Sequence, residues 1–581
     1  MKKYFWLLLV AILLLPQSVL AFTEDEAFYA KAHFEETDFP YAFEQSDEPV
    51  SKGEYLTFLK AYAQFRGLKA LSLDEKTLKS SKSIRRDDAL LLSKKLLPKA
   101  FKNSHFTLPT SWYRKSLLTK RDMLILLRKA DTSLGYPDLL VYGSELESIS
   151  AALSGRAEGL EVILVHEKPD IGGLAIDGGL NYIDIPQSDG EWLLQGFAKR
   201  FYEHMGNGYD FTKARTWVKK ELKRLGVAAW QGSADIKRLD DKSGMRIRQL
   251  AIGDDVFYPK MLIDASENGD LFAGVGADYT KGLYKNEEVY PAASLLYVLE
   301  GVDYEKVKKH LLKDFDGMGN TGGVINKVAW GYKEDVKGYE VKDKNNVIRA
   351  LNIAYIQEKN RVVMNHIFNT AINPLSEKSR EEVKRSLKEE AKAFLPYLRK
   401  HCVGFENAKL VGFANELYLR DSRHFKGSYT LKLKDLVNRT AFYDRVLITN
   451  YPIDIHATKN RKENLILYYP QSYEIPYRVM HNTTLTNLLV SSKCASYEPL
   501  VAGSTRIVMT GTMMSEAAGV ASALAIRENV HVQDVSIQAL QNKLKERGFI
   551  SRHPAPLKRE VSFWDLFKLN SGKYTYEELG S

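Results

Sequence analysis

The chain has 581 residues, 44% hydrophobic and 27% charged, enough for two or three domains with a large core. Its formal net charge of +10 comes from 83 Lys and Arg against 73 Asp and Glu, mixed along the whole length. That balance reads as a solvated basic surface suited to anionic wall polymers; no nucleic-acid motif accompanies it, and two cysteines, Cys402 and Cys494, allow at most one disulfide and no Cys-based metal site.

Met1 to Ala21 has the form of a Sec-type signal peptide: Lys2 and Lys3, an apolar run from Tyr4 to Leu15, Pro16, then Val19-Leu20-Ala21. The run is short for a membrane anchor. The expectation is a secreted, periplasmic or cell-surface protein with no membrane span after cleavage.

Residues 22–131 read as a helical N-terminal domain. SKGEYLTFLKAY from Ser51, SIRRDDALLLSKKLL from Ser83 and LLTKRDMLILLRKA from Leu117 each set a basic residue and an acid before a Leu-rich helix. With Glu54, Asp87 and Asp122 as the acids, the period is 33 to 35 residues, which suggests small stacked helical units. A domain that only packs on its neighbour and one that anchors the chain or recruits a polymer both fit this pattern.

Residues 137–282 begin an α/β domain. An apolar run, Leu139 to Tyr142, stops at Gly143; a helix follows with Leu146, Ile149, Ala152 and Leu153 on one face; Val162 to Val165 form a second strand that ends at Glu167. This β-α-β order suits an adenine dinucleotide, with Gly143 and Ser144 at the turn and Glu167 placed for the ribose hydroxyls. Glu145 and Ser148 stand where G-x-G-x-x-G has its second and third glycines, and a β-α-β unit without a nucleotide has the same pattern. Gly172-Gly173 and Gly178-Gly179 follow, where backbone can approach a ligand closely.

Three later segments extend the pattern. In KMLIDASENGDLFAGVGADYTKG, Asp264, Ala265, Gly269 and Asp270 end a strand and open a small-residue helix, after an alternating meander over Val227 to Tyr258. LRDSRHFKGSYTL places Arg420, Ser422 and Arg423 ahead of NYPIDIH, which contains Asp454 and His456. Finally, a strand at Leu488 to Val490 precedes Arg506 and a helix with Ala517, Ala518 and Gly519.

These motifs together resemble the FAD-dependent oxidoreductases of the two-dinucleotide-binding flavoprotein superfamily, with the fumarate-reductase or glutathione-reductase type of FAD fold. In Asp264 to Asp270, Glu267 departs from the glycine that this family has. The resemblance implies FAD as cofactor and a Rossmann-like domain built from residues 137–282 and 414–550. An α+β substrate or cap region, 283–413, is inserted between them, and 551–581 form a tail. It implies cofactor contacts at Gly143, Ser144, Glu167, Gly172, Gly173, Asp264, Ala265, Gly269, Arg506, Ala517, Ala518 and Gly519, with the last helix aimed at the flavin edge. Arg420 and Arg423 are candidate anion clamps and His456 the candidate proton carrier, with Asp454 or His424 as helpers. The N-terminal phrase resembles the second half of S-layer homology repeats, which would imply an anionic cell-wall polymer as partner. The function expected is hydride transfer between flavin and a small or carbohydrate-like substrate. A non-catalytic wall protein on a degenerate flavoprotein fold is the alternative.

Overall fold

The structure is a computed structural model that describes residues 24–37, 39, 46–69, 71–101, 106–108, 112, 116–188, 191–283, 288–313, 322–467, 470–549 and 553. The expected leader, 1–21, and all of the 551–581 tail except His553 lie outside the described residues.

Among the described residues, the longer helices of the N-terminal domain are α1 (Glu24–Glu36), α2 (Lys52–Phe65), α3 (Arg86–Leu96) and α4 (Lys120–Ser133), with single turns at Glu75–Leu78 and Pro98–Phe101. The N-caps of α2, α3 and α4 are Ser51, Arg85 and Thr119. Ser51 accepts from the Glu54 backbone, and Thr119 forms a capping box with Asp122. Counting from the caps makes Asp88, rather than Asp87, the partner of Glu54 and Asp122. The units also do not stack in line. The Val50 N–H donates to Leu118 O (2.8 Å), Leu118 to Ile84 (2.9 Å) and Ile84 back to Val50 (3.1 Å), so the three repeats close into a ring.

This domain is fastened to the next by buried charges. Arg128 on α4 pairs with Asp138 at 2.6 Å, and Lys129 pairs with Glu161 at 2.8 Å, all four side chains being buried. Tyr29 on α1 donates to the carbonyl of Ala523 at 3.0 Å.

The parallel sheet starts with β1 (Leu139–Tyr142), α5 (Leu146–Ala157), β2 (Val162–His166), β3 (Ala228–Gln231) and β4 (Met261–Asp264). Of the expected meander, the first segment is therefore β3 of this sheet; Ile236–Arg238, Leu250–Ile252 and Asp255–Phe257 make a separate antiparallel sheet. The inserted region forms a six-stranded antiparallel sheet from β5 (Tyr297–Glu300), β6 (Gly323–Ile325), β7 (Val328–Gly331), β8 (Leu351–Ile356), β9 (Arg361–Met364) and β10 (Lys409–Phe413), in the order β6-β7-β8-β9-β5-β10. The long helix α6 (Glu377–His401) buries Val383, Leu387, Phe394 and Leu398 in the same core. The chain then returns with β11 (Leu488–Val490) and α7 (Val508–Arg527), which completes the parallel order β11-β4-β1-β2-β3. Every β1 and β2 residue is buried, as parallel strands covered on both faces require.

Close packing of α5 on α7 holds the strand ends in place. Ser150 and Ser154 on α5 donate to the carbonyls of Thr512 and Glu516, each at 2.8 Å. A Cβ on Gly519 would run into Ser154 and, at 2.6 Å, the carbonyl of Ala151. Cys402 and Cys494 are both free and buried.

Substituting Arg128 by Met leaves the buried Asp138 carboxylate without its close partner. The expected cost is about 3 kcal/mol, read as a melting temperature lower by roughly 5 °C in a thermal scan.

Candidate cofactor cradle and substrate cavity

Two spaces lie beside the carboxyl ends of the parallel strands, where open α/β sheets place their ligands. The smaller, about 20 Å³, runs past Glu145, Glu147, Leu174, Ser266, Lys493 and Val508. The larger, about 720 Å³, is walled by residues of the parallel-sheet domain and of the inserted sheet. Tyr418, Arg420 and Arg506 line both spaces and so form a wall common to them.

The dinucleotide frame is built as the sequence implies. Gly143 has φ +139°, and a Cβ there would meet the carbonyl of Ala265 at 2.5 Å. Gly172 has φ +120°, and its N–H donates to the carbonyl of Ser144 at 2.6 Å, which draws the glycine loop onto the N-terminus of α5. Glu167 follows β2; burial, with Asp270 nearby, pushes its carboxyl up to about 7.

Asp264 spends both oxygens on its own turn, accepting from Ser266 N and Oγ and from Phe272 N. Gly269, at φ +68°, packs against the ring of Phe272. Ala517, Ala518 and Gly519 lie in the middle of α7, where the small side chains serve its contact with α5; the first turn of the helix is at Val508.

A buried ion cluster fills the cradle. Lys168, directly after Glu167, donates to Glu145 (2.9 Å), Glu267 (3.2 Å) and Glu416 (2.6 Å). Burial opposes the Lys168 charge, but the three carboxylates outweigh it and hold the ammonium well above the ordinary lysine range. Glu267 is also 3.5 Å from Lys493; against the cost of burial, Lys168 and Lys493 hold its carboxyl below the usual range. The other oxygen of Glu145 accepts the Leu174 N–H at 2.7 Å. A Cβ on Gly173 would run into this carboxylate, so Gly173 accommodates Glu145. The space between Glu145, Leu174 and Lys493 has room for about one water. The backbone frame suits FAD, and in this arrangement the Glu145 and Lys168 side chains stand across it.

The larger cavity brings His456, Asp454, Arg506 and Arg420 to one wall. His456 Nε2 is 3.1 Å from Asp454, whose same oxygen accepts from Arg506 at 2.8 Å. Burial and the Arg420 cation bring the His456 pKa down to about 3, so the ring is neutral at ordinary pH. With its proton on Nε2 toward Asp454, Nδ1 is a bare acceptor with no protein partner. Burial disfavours the Asp454 carboxylate, yet His456, Arg506 and Arg420 hold it well below the ordinary range.

Arg420 makes no ion pair among the described residues. It donates to Ala292 O and Ser294 Oγ and stacks 3.9 Å over Tyr418. Burial pushes its pKa down to about 10, which leaves it a cation at neutral pH.

Arg423 is not brought to either space: it holds Asp270 at 2.7 Å and the carbonyl of Asn268. His424 is buried 2.9 Å from Asp421, which raises its pKa against the effect of burial. Sequence reading missed Lys168, Glu416 and Lys493. Lys168 adjoins the singled-out Glu167, whereas Glu416 carries no local signal.

Glu147 makes a pH test of this packing. Fully buried against Gly511, it has its carboxyl pushed up to about 8 by burial and by Glu145. A raised acid binds its proton more tightly in the folded state, so stability falls as pH rises from the unfolded value toward 8. Glu147→Gln removes that loss: its melting temperature should match wild type at pH 5 and exceed it by roughly 5 °C at pH 9 in a thermal scan across pH.

FAD dependent oxidoreductases match this chain over residues 138–544. No curated protein matches it. Among solved structures, a geranylgeranyl bacteriochlorophyll reductase-like protein from Thermoplasma acidophilum is 12% identical, covering 77% of this chain and 98% of that one, with a TM-score of 0.34. The p-nitrophenol 4-monooxygenase from Pseudomonas putida is 9% identical over 76% of this chain and 95% of its own, with a TM-score of 0.35. These likenesses are too weak to carry an argument; the family match, over more than half of the chain, is what decides. The chain belongs to the family of FAD-dependent oxidoreductases, and is an enzyme with FAD as its cofactor.

Proposed function

We propose that this oxidoreductase acts on a small, carbohydrate-like substrate outside the cytoplasm, with the N-terminal ring of repeats binding an anionic cell-wall polymer. The observation that carries the substrate reading is the make-up of the large cavity. Flat aromatic faces, among them Trp192, Trp330 and Tyr451, alternate there with the amides of Asn207, Asn352 and Asn365. Apolar faces edged by short donors and acceptors suit a molecule with C–H faces and hydroxyl rims.

The wall that joins the two spaces supplies the proton chemistry. FAD, when bound, supplies the hydride acceptor. His456 Nδ1 takes the proton of a substrate hydroxyl, Asp454 fixes the ring through Nε2, and Arg420 steadies negative charge that develops on the oxygen. The inserted region contributes Trp330, Asn352 and Asn365 to the cavity wall.

The test is acceptor-coupled oxidation of a panel of monosaccharides and polyols by FAD-loaded protein. His456→Ala should lower kcat about 100-fold. Because His456 is neutral above a pKa of about 3, its titration should put no acid limb on the rate between pH 5 and 8. If no sugar or polyol reduces the acceptor above background, the substrate reading is wrong.

The polymer reading rests on the exposed cations of the repeat ring, Lys52 and Arg85 among them. The Lys52→Glu, Arg85→Glu double variant should bind purified anionic wall polymer about fivefold more weakly in a pelleting assay. Unchanged pelleting would remove the polymer from the account.

A further inference from the structure

The N-terminus of a helix that follows the first strand of a parallel sheet is an anion site: its free N–H groups and positive dipole end face whatever lies above the strand. In this chain a carboxylate of the protein itself stands beside that place. Glu145 is the N-cap of α5, has extended backbone, and uses its side chain on no N–H of its own helix. The carboxylate instead reaches across to the glycine loop and accepts the Leu174 N–H at 2.7 Å, while Lys168 neutralises it at 2.9 Å. The geometry points to Glu145 as a built-in occupant of the pyrophosphate position: with Lys168 as its counter-ion it closes the cofactor cradle, and FAD enters by displacing it.

Three independent features support this. Gly173 lacks the Cβ that would strike the Glu145 carboxylate, so the loop is shaped around that side chain. The space beside Glu145, Leu174 and Val508 is about 20 Å³, far below the several hundred Å³ of an open ligand site. Lys168 does not depend on Glu145 alone: Glu267 and Glu416 hold it at 3.2 and 2.6 Å. When Glu145 swings out, Lys168 stays in place with one donor free to meet an incoming phosphate, which makes the exchange one anion for another. The observed FAD affinity is then the intrinsic affinity reduced by the fraction of molecules in which Glu145 has moved away.

This inference rests on FAD being the cofactor, and the experiment separates the two. FAD and riboflavin, which has no pyrophosphate, are titrated into purified wild-type protein, Glu145→Ala and Glu145→Gln, with binding read from flavin fluorescence and absorbance. Glu145→Ala should bind FAD about tenfold or more tightly than wild type, with riboflavin affinity unchanged. Glu145→Gln, which keeps the bulk and removes the charge, should fall between them; it gives the same reading if the Ala variant folds poorly. Equal or weaker FAD binding by both variants overturns the occupant role and leaves FAD as the cofactor. Equal tightening of FAD and riboflavin also overturns it, since the obstruction would then lie elsewhere. If none of the three proteins binds FAD, the cofactor assignment itself fails.

Discussion

The Lys168 ammonium is the point at which four separate stretches of chain meet. It sits just past β2 and draws in Glu145 from the start of α5, Glu267 from the turn after β4, and Glu416 from the return of the inserted region. A half-buried cation persists best with close counter-charges, and three carboxylates so near one another persist only around a cation. The relative positions of the first Rossmann segment, the β4 turn and the cap are therefore mutually dependent. The wall common to cradle and cavity inherits that dependence through Tyr418 and Arg420, which follow Glu416 by two and four residues.

Much of the fold was legible because it follows from local pattern. The runs Leu139 to Tyr142 and Val162 to Val165, the helix between them and the strand Leu488 to Val490 are apolar stretches bounded by glycine or acid, and they form as read. The pairing of β11 with β4 is long-range; the resemblance placed both strands in one domain but gave no strand order. In the repeat region the caps, rather than the nearest acid, set the register, so Asp87, read as the repeat's acid, gives way to Asp88 three residues after the N-cap Arg85.

The site was less legible, and the reason is physical. Small residues serve close backbone approach whether the neighbour is a ligand or another helix, so Gly519 reads the same in either case, and here the neighbour is Ser154. Arg420 and Arg423 are three residues apart in one motif, yet they face different surroundings, the first a cavity wall and the second Asp270. Glu145 stood out as a misplaced charge; what the sequence could not show was that Lys168 and the Leu174 N–H would answer it.

The ring of backbone hydrogen bonds through Val50, Ile84 and Leu118 bears on how the N-terminal domain can evolve. An open row of repeats has free ends and can lengthen or shorten by one unit. A closed ring has none: removing one unit orphans a donor on one neighbour and an acceptor on the other, and adding one breaks the circuit. The number of units is thus fixed at three, and new binding properties in this domain must come from substitution on the rim or from duplication of the whole ring.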